Sequence, residues 1–226
     1  MKKLAFSVAV VLAMSGFAAS AVAADDWAGP YAGLQVGYIW GDADVSSWHS
    51  DPEDTHEFAI NDFSVDGVAG GIFGGYIWQT GNDVLIGIEL EANTASADET
   101  ITIDLGEGDY WGATVKQEWD ASLRLIVGKE MGSYMPYFTG GIAMAGVNVD
   151  GFTSWDYEDN NDATLSGWTV GAGLEKKINE KFHARILYRY SDLGDDTWTI
   201  APPNDVDRGK VEYSAHMLTV GFSYCF

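Results

Sequence analysis

Three observations predict that this sequence folds as an all-β, eight-stranded antiparallel up-and-down barrel that crosses a membrane. Eight segments alternate large apolar residues with small or polar ones, the period of a strand whose two faces meet different surroundings. Their connections run long, short, long, short, long, short, long, as in transmembrane barrels with long extracellular loops and short periplasmic turns. The face opposite the apolar one carries ionisable residues, and hydrocarbon does not tolerate those, so the apolar face is the one that meets lipid.

A separate leader precedes the barrel. Lys2 and Lys3, an apolar run over residues 4–14, and small residues ending in Ala21, Val22 and Ala23 have the layout of a secretory signal peptide, residues 1–23. An N-terminal membrane helix is the rival reading, because residues 4–24 carry no charge. The small residues crowding its end favour cleavage after Ala23, and no L-x-x-C lipidation site is present. Residues 24–226 are then one barrel domain, within the length range of a single domain. No other stretch approaches the roughly 18 uncharged apolar residues of a membrane helix, so any crossing is made by strands.

The first strand, 31–40, sets Leu34, Val36, Tyr38 and Trp40 against Gly33, Gln35 and Gly37. A polar segment, 41–64, leads to a glycine-laced second strand, 65–78, with Val68, Ile72, Tyr76 and Trp78 outward. Gln79, Thr80, Gly81, Asn82 and Asp83 make a tight turn. The third strand, 84–92, opposes Val84, Ile86, Ile88 and Leu90 to Gly87, Glu89 and Glu91. A second long segment leads to the fourth, 116–129, where Trp119, Ala121, Leu123, Leu125 and Val127 oppose Glu118, Asp120, Ser122, Arg124 and Gly128. After a short turn at 130–134 comes the fifth, 135–147, which is small on both sides and leaves its facing open.

The third long segment, 148–164, precedes the sixth strand, 165–178, with Trp168, Val170 and Leu174 against Gly167, Thr169, Gly171, Gly173 and Glu175. Asn179 and Glu180 turn the chain into the seventh, 181–190, where Phe182, Ala184, Ile186, Tyr188 and Tyr190 oppose His183, Arg185 and Arg189. Residues 191–210 are the last long segment. The closing strand, 211–226, alternates Leu218, Val220, Phe222, Tyr224 and Phe226 with Thr219, Gly221, Ser223 and Cys225. Aromatics fall into two girdles: Trp40, Trp119, Trp168 and Tyr190 at the outer ends, and Trp78, Phe182, Tyr224 and Phe226 at the periplasmic ends.

A soluble eight-stranded barrel would alternate in the same way, and the charges decide between the two. Glu89, Glu91, Glu118, Asp120, Glu175, Arg124, Arg185 and Arg189 all fall opposite the apolar face. On lipid each arginine would cost about 2–4 kcal/mol near the midplane, whereas inside a narrow lumen the charges can pair. Arg124 is expected near Glu89, and Arg185 near Glu175. Cys225, the only cysteine, excludes an intramolecular disulfide and is expected to face inward near the base.

These stretches resemble a known family, the small outer-membrane β-barrels of Gram-negative bacteria called surface-immunogenic or "porin family" proteins, relatives of the OmpA-type transmembrane domain. The matching segments are DWAGPYAGLQVGYIWGDA, GGYIWQTGNDVLIGIELEAN, GWTVGAGLE with LYRYSDLG, and LTVGFSYCF, in that order along most of the chain. The resemblance implies an outer-membrane location, a setting of membrane lipid and lipopolysaccharide, surface exposure, and insertion by the barrel assembly machinery through the terminal strand. Members are described variously as structural, antigenic, pore-forming or haem-binding, so it implies no single activity.

The formal charge of −22 makes nucleic acid an unfavourable partner. The four long segments hold most of the acids, seven of them (Asp42, Asp44, Asp51, Glu53, Asp54, Glu57 and Asp62) in the first. Such a crown is either a solvated, self-repelling surface or a site where divalent cations bridge to lipopolysaccharide phosphates. None of the segments has the ligand spacing of an EF-hand. His49 and His56 lie among carboxylates that could help hold zinc, but their seven-residue spacing matches no ligand motif. Glu212, Ser214 and His216 share the outward face of the last strand, as an acid, nucleophile and base would in a lipid hydrolase, or as a polar interface band would. The expectation is a monomeric, structural and surface-exposed antigen without a catalytic site or cofactor. A narrow, cation-preferring pore is the alternative and a lipid hydrolase a further one.

Overall fold

A computed structural model of the 226-residue chain describes residues 27–51, 54–106, 109–153, 158–200 and 207–226. The leader expected over residues 1–23 lies outside them. The strands are β1 (Gly29–Asp51), β2 (Asp54–Thr80), β3 (Val84–Gly106), β4 (Asp109–Lys129), β5 (Tyr134–Thr153), β6 (Glu158–Lys177), β7 (Phe182–Ile200) and β8 (Asp207–Cys225). Each pairs antiparallel with the next, and β8 returns to β1, so between the two aromatic girdles the sheet closes without an edge.

The short turns follow from their residues. Asn82 and Asp83 both adopt positive φ between β2 and β3, the twist that lets a tight hairpin match its strands. Between β6 and β7, the Asn179 side-chain oxygen accepts from the backbone N–H groups of Lys181 and Phe182, at 3.0 and 2.9 Å.

Facing follows the alternation. Leu34 and Phe222 are 67% and 65% exposed, with Leu125, Ile186, Val220 and Leu218 also outward, while Arg124 is 1% exposed and Arg185 and Arg189 are buried. The fifth strand, ambiguous in sequence, turns Phe138, Ile142 and Met144 outward and Met135, Tyr137, Ala143 and Ala145 inward. From the His216 row to Phe226 the outward face spans ten residues, about 25 Å at a typical strand rise and tilt, the height of a membrane's apolar band. Aromatic pairs mark both limits: Trp40 stacks on His216 and Trp168 meets Tyr190 above, while Tyr76 meets Trp78, and Phe182 meets Tyr224, below.

Two features differ from the alternation-based reading. Glu118, expected inside, is exposed, because a β-bulge between Gln117 and Trp119 shifts the register there and turns Gln117 inward instead. The strands also run well beyond the ranges expected from alternation. The long polar connections are largely strand, since ladders away from lipid need no apolar face to form.

Bulges in β1, β3, β4 and β7 interrupt the ladders just beyond the outer girdle. There the closed wall divides. Among the described residues, β2–β3 pairing stops at Gly67 and Ala97, and β6–β7 pairing stops at Trp168 and Asp192. The remaining ladders continue toward the hairpin tips. The barrel therefore rises as two four-stranded sheets, β7-β8-β1-β2 and β3-β4-β5-β6.

Two apolar layers fill the lumen. The lower contains Tyr31, Phe73, Ile77, Leu85, Ile126, Met135, Tyr137 and Leu187, and the upper contains Ile39, Val65, Val115, Val147, Leu165, Leu193, Tyr213 and Met217. Inward glycines make the room. A Cβ on Gly173 would lie 2.4 Å from the Tyr137 ring, and one on Gly71 would lie 2.2 Å from the Asn93 amide oxygen.

Candidate functional site: the ion network in the lumen

Between the two apolar layers lies a belt of charge. Glu89 and Glu91 are successive inward positions of β3, and Arg124 stands opposite Glu89 on β4. Its Nη2 donates to Glu89 Oε1 and Glu91 Oε2, both at 2.5 Å. From β7, Arg185 Nη1 reaches across the lumen to Glu89 Oε2 at 2.6 Å, and its Nη2 donates to Gln35 Oε1 at 2.5 Å. Its guanidinium lies over the Phe73 ring, 3.3 Å from the centroid. One step higher, Arg189 pairs with Asp120 at 2.5 Å and with Glu91 at 3.4 Å, and donates to Ser122.

Neutral groups complete the belt. Tyr31 donates to Glu89 at 2.7 Å, Asn93 donates to Glu91 and Asp120, and Gln35 donates to Asn93. Three guanidinium groups thus meet three carboxylates in a site without bulk water. Burying any one of these charges alone would be costly, and together they compensate. Beside Asp120 and Arg189, a void lined also by Gln117, Ser191 and Met217 has room for about one water.

The expected Arg185–Glu175 pair does not form. The two residues share a rung between β6 and β7, but Arg185 extends to the β3 carboxylates instead. An eight-stranded lumen is narrow enough for a guanidinium to cross, and Glu89 is the acid its fork meets. Glu175 sits lower, within 3.0 Å of His183 Nδ1 and accepting from Ser223 at 3.2 Å. Trp27 packs on His183, and Cys225 Sγ lies 3.5 Å from its Nδ1, half-buried at the barrel base. Tyr31 and Asn93 were the network members least visible in sequence. Continuing the period from Glu89 and Glu91 would have reached Asn93.

The other candidate residues lie elsewhere. Leu218, Val220, Phe222 and Phe226 project outward and Tyr224 is half-exposed, all on the lipid side of β8. Glu212, Ser214 and His216 share that face without forming a triad. His216 Nδ1 is 2.7 Å from the Tyr188 hydroxyl, and Glu212 accepts from Lys210, which also pairs with Asp195. That bond to Glu212 raises the pKa of Lys210, outside the membrane, above the usual lysine value. The backbones of His49 and His56 are direct partners in the β1–β2 ladder.

Comparison with known proteins follows the same lines. The chain matches the outer membrane protein beta-barrel domain family over residues 9–226. It is 30% identical to the 31 kDa outer-membrane immunogenic protein of Brucella melitensis, with 97% of each chain covered. To the 25 kDa outer-membrane immunogenic protein of Brucella abortus it is 27% identical, covering 99% of this chain and all of that one. Among solved structures, the outer membrane protein OprG of Pseudomonas aeruginosa superposes with a TM-score of 0.54 at 16% identity, over 91% of this chain and 99% of that one, a likeness of fold. Closed topology, outward apolar band and match over nearly the whole length agree, and the chain belongs to the outer membrane protein beta-barrel domain family and resides in the outer membrane.

Proposed function

We propose that the protein is a structural, surface-exposed antigen of the outer membrane, a monomer whose lumen is a packed core. The carrying observation is the sealed interior: a charge-balanced belt held between two apolar layers, with inward glycines occupied by neighbouring side chains. A lumen so filled supports neither general diffusion nor a cofactor. The names of the Brucella relatives, both immunogenic proteins, support the antigenic reading for the strands that rise beyond the outer girdle.

No catalysis is part of this reading. His216 meets Tyr188 through Nδ1 and stacks on Trp40, while Glu212 is held by Lys210, so the position an orienting acid would take on His216 is filled by a tyrosine hydroxyl. The lipid-facing side of β8, ending in Tyr224 and Phe226, serves as the closing strand read by the barrel assembly machinery. Membrane lipid and lipopolysaccharide surround the wall, and calcium in the acidic crown is expected to bind no tighter than millimolar. The test is planar-bilayer recording of the refolded protein, which should show no steady conductance. Sustained, cation-selective steps would replace this reading with the narrow pore.

A further inference from the structure

Most of the lysines gather at one end of the molecule. Of the six beyond the leader, Lys129, Lys176, Lys177 and Lys181 lie at the periplasmic ends of the strands, while the acids crowd the extracellular segments. Lys129 and Lys176 fall in the outward rows of β4 and β6, below Leu125, Val127 and Leu174, and both are exposed. They stand on either side of β5, two strand spacings or about 10 Å apart across the sheet. On β5, Tyr134 pairs with Lys176 in the ladder, and the Lys176 ammonium lies 5.4 Å from the centre of its ring. Met131 and Ile178, at the turns just below, are large, apolar and exposed, as is Phe182 at the start of β7. The Ser133 carbonyl accepts from the Lys177 N–H at 2.9 Å, which holds the two turns side by side.

We propose that Lys129, Tyr134 and Lys176, flanked by Met131 and Ile178, form a docking surface for the headgroup of an anionic glycerophospholipid from the periplasmic leaflet. Charge complementarity selects the occupant. Among the described residues neither ammonium has a carboxylate within ion-pair distance, whereas at the other end Lys116 is paired with Asp150, and Lys210 with Asp195 and Glu212. The acids of the nearby turns are Asp83, Glu130 and Glu180, and Glu130 accepts from Gln79 at 3.1 Å. A lysine can lay its methylenes along an apolar wall and hold its charge at the headgroup level, and two such stems can converge on one phosphate. Tyr134 suits the same level, with an apolar ring and a polar tip. The apolar surroundings distinguish a lipid from a soluble anion, because Phe138 and Leu174 continue the surface upward along the acyl chains. A zwitterionic lipid brings its own cation to the phosphate and gains less from the lysine pair. Lipopolysaccharide also bears phosphates, but it occupies the opposite leaflet, at the acidic end of the barrel.

The experiment uses the mature chain refolded in detergent micelles, with lipid retention read by native mass spectrometry. Phosphatidylglycerol should be retained in preference to phosphatidylethanolamine of the same acyl chains, and the preference should shrink as salt is raised. Lys129→Gln and Lys176→Gln should each weaken phosphatidylglycerol retention about fivefold, and the double variant about twentyfold or more. Lys129→Arg combined with Lys176→Arg keeps both charges and should keep the preference. Lys116→Gln, at a paired lysine of the extracellular end, should change nothing. Heat-modifiable migration verifies that each variant still folds. Equal retention of the two lipids would overturn the proposal, as would a double glutamine variant that retains phosphatidylglycerol like the parent. Displacement of the lipid by inorganic phosphate would reduce the patch to a simple anion site, and a dimer that dissolves in the double variant would assign it to a second copy of the chain. Either result would also overturn it. The readout is independent of conductance, so this inference and the sealed-lumen reading can fail separately.

Discussion

Arg124 shows how a single side chain holds the interior. Its Nη2 joins two glutamates from the neighbouring strand, so removing it leaves two carboxylates sharing the remaining guanidinium groups. Arg124→Ala should destabilise the folded barrel by about 3–5 kcal/mol, the usual cost of orphaning a buried ion pair. A double-mutant cycle in denaturant titrations separates contact from adjacency. Arg124 with Glu89 should show coupling of about 0.5–3 kcal/mol, and Arg185 with Glu175 should show close to none although they share a rung. Sizeable coupling in the second pair would mean that Arg185 does not cross the lumen. The inward facing of both arginines was legible in the sequence, because parity along a strand fixes it. The partner of Arg185 was not, since a long flexible side chain in a narrow lumen chooses among acids on several strands.

At the scale of the strand, alternation was readable wherever one face meets lipid. Leu218 to Phe226 is the clearest case, and Phe138 with Ile142 was blurred only by the small residues around them. Residues 41–64 carry no periodic signal in the sequence, even though the β1 and β2 backbones continue as a ladder from Gly41 and Val65 to Asp51 and Asp54. Bulges such as the one beside Glu118 were also silent, because an extra residue in one strand looks like any other until the register on both sides is known. The division of the wall follows from those bulges. Gly194, with φ of 67° in the left-handed region, lies at the β7–β8 register shift, and its N–H is held by Asp192 at 3.1 Å. Among the described residues, β6 above Trp168 and β7 beyond Asp192 then form facing strand edges without a mutual ladder. Hydrogen exchange should find alternate amides of both segments exchanging far faster than those of residues 168–176, which are paired on both sides. Uniform protection across the β6–β7 boundary would mean that the wall closes to its tip.

Over the whole molecule, the layering decides what the charge belt does. A belt that alone blocked a channel would open it when broken. Here the belt has an apolar layer above it containing Val115, Leu165 and Met217, and another below it containing Phe73, Leu85 and Met135. On the proposed reading each layer would exclude ions on its own, because a bare ion crossing packed aliphatic side chains loses hydration with nothing to replace it. Electrostatic balance would then stabilise the fold, and apolar packing would keep it shut. The two roles come apart in one variant. Arg124→Ala, refolded and recorded in planar bilayers, should unfold at lower denaturant concentration than the parent and still show no steady conductance. If the weakened protein instead passes cations in discrete steps, the ion pairs themselves are the barrier and the apolar layers are too loosely packed to hold water back.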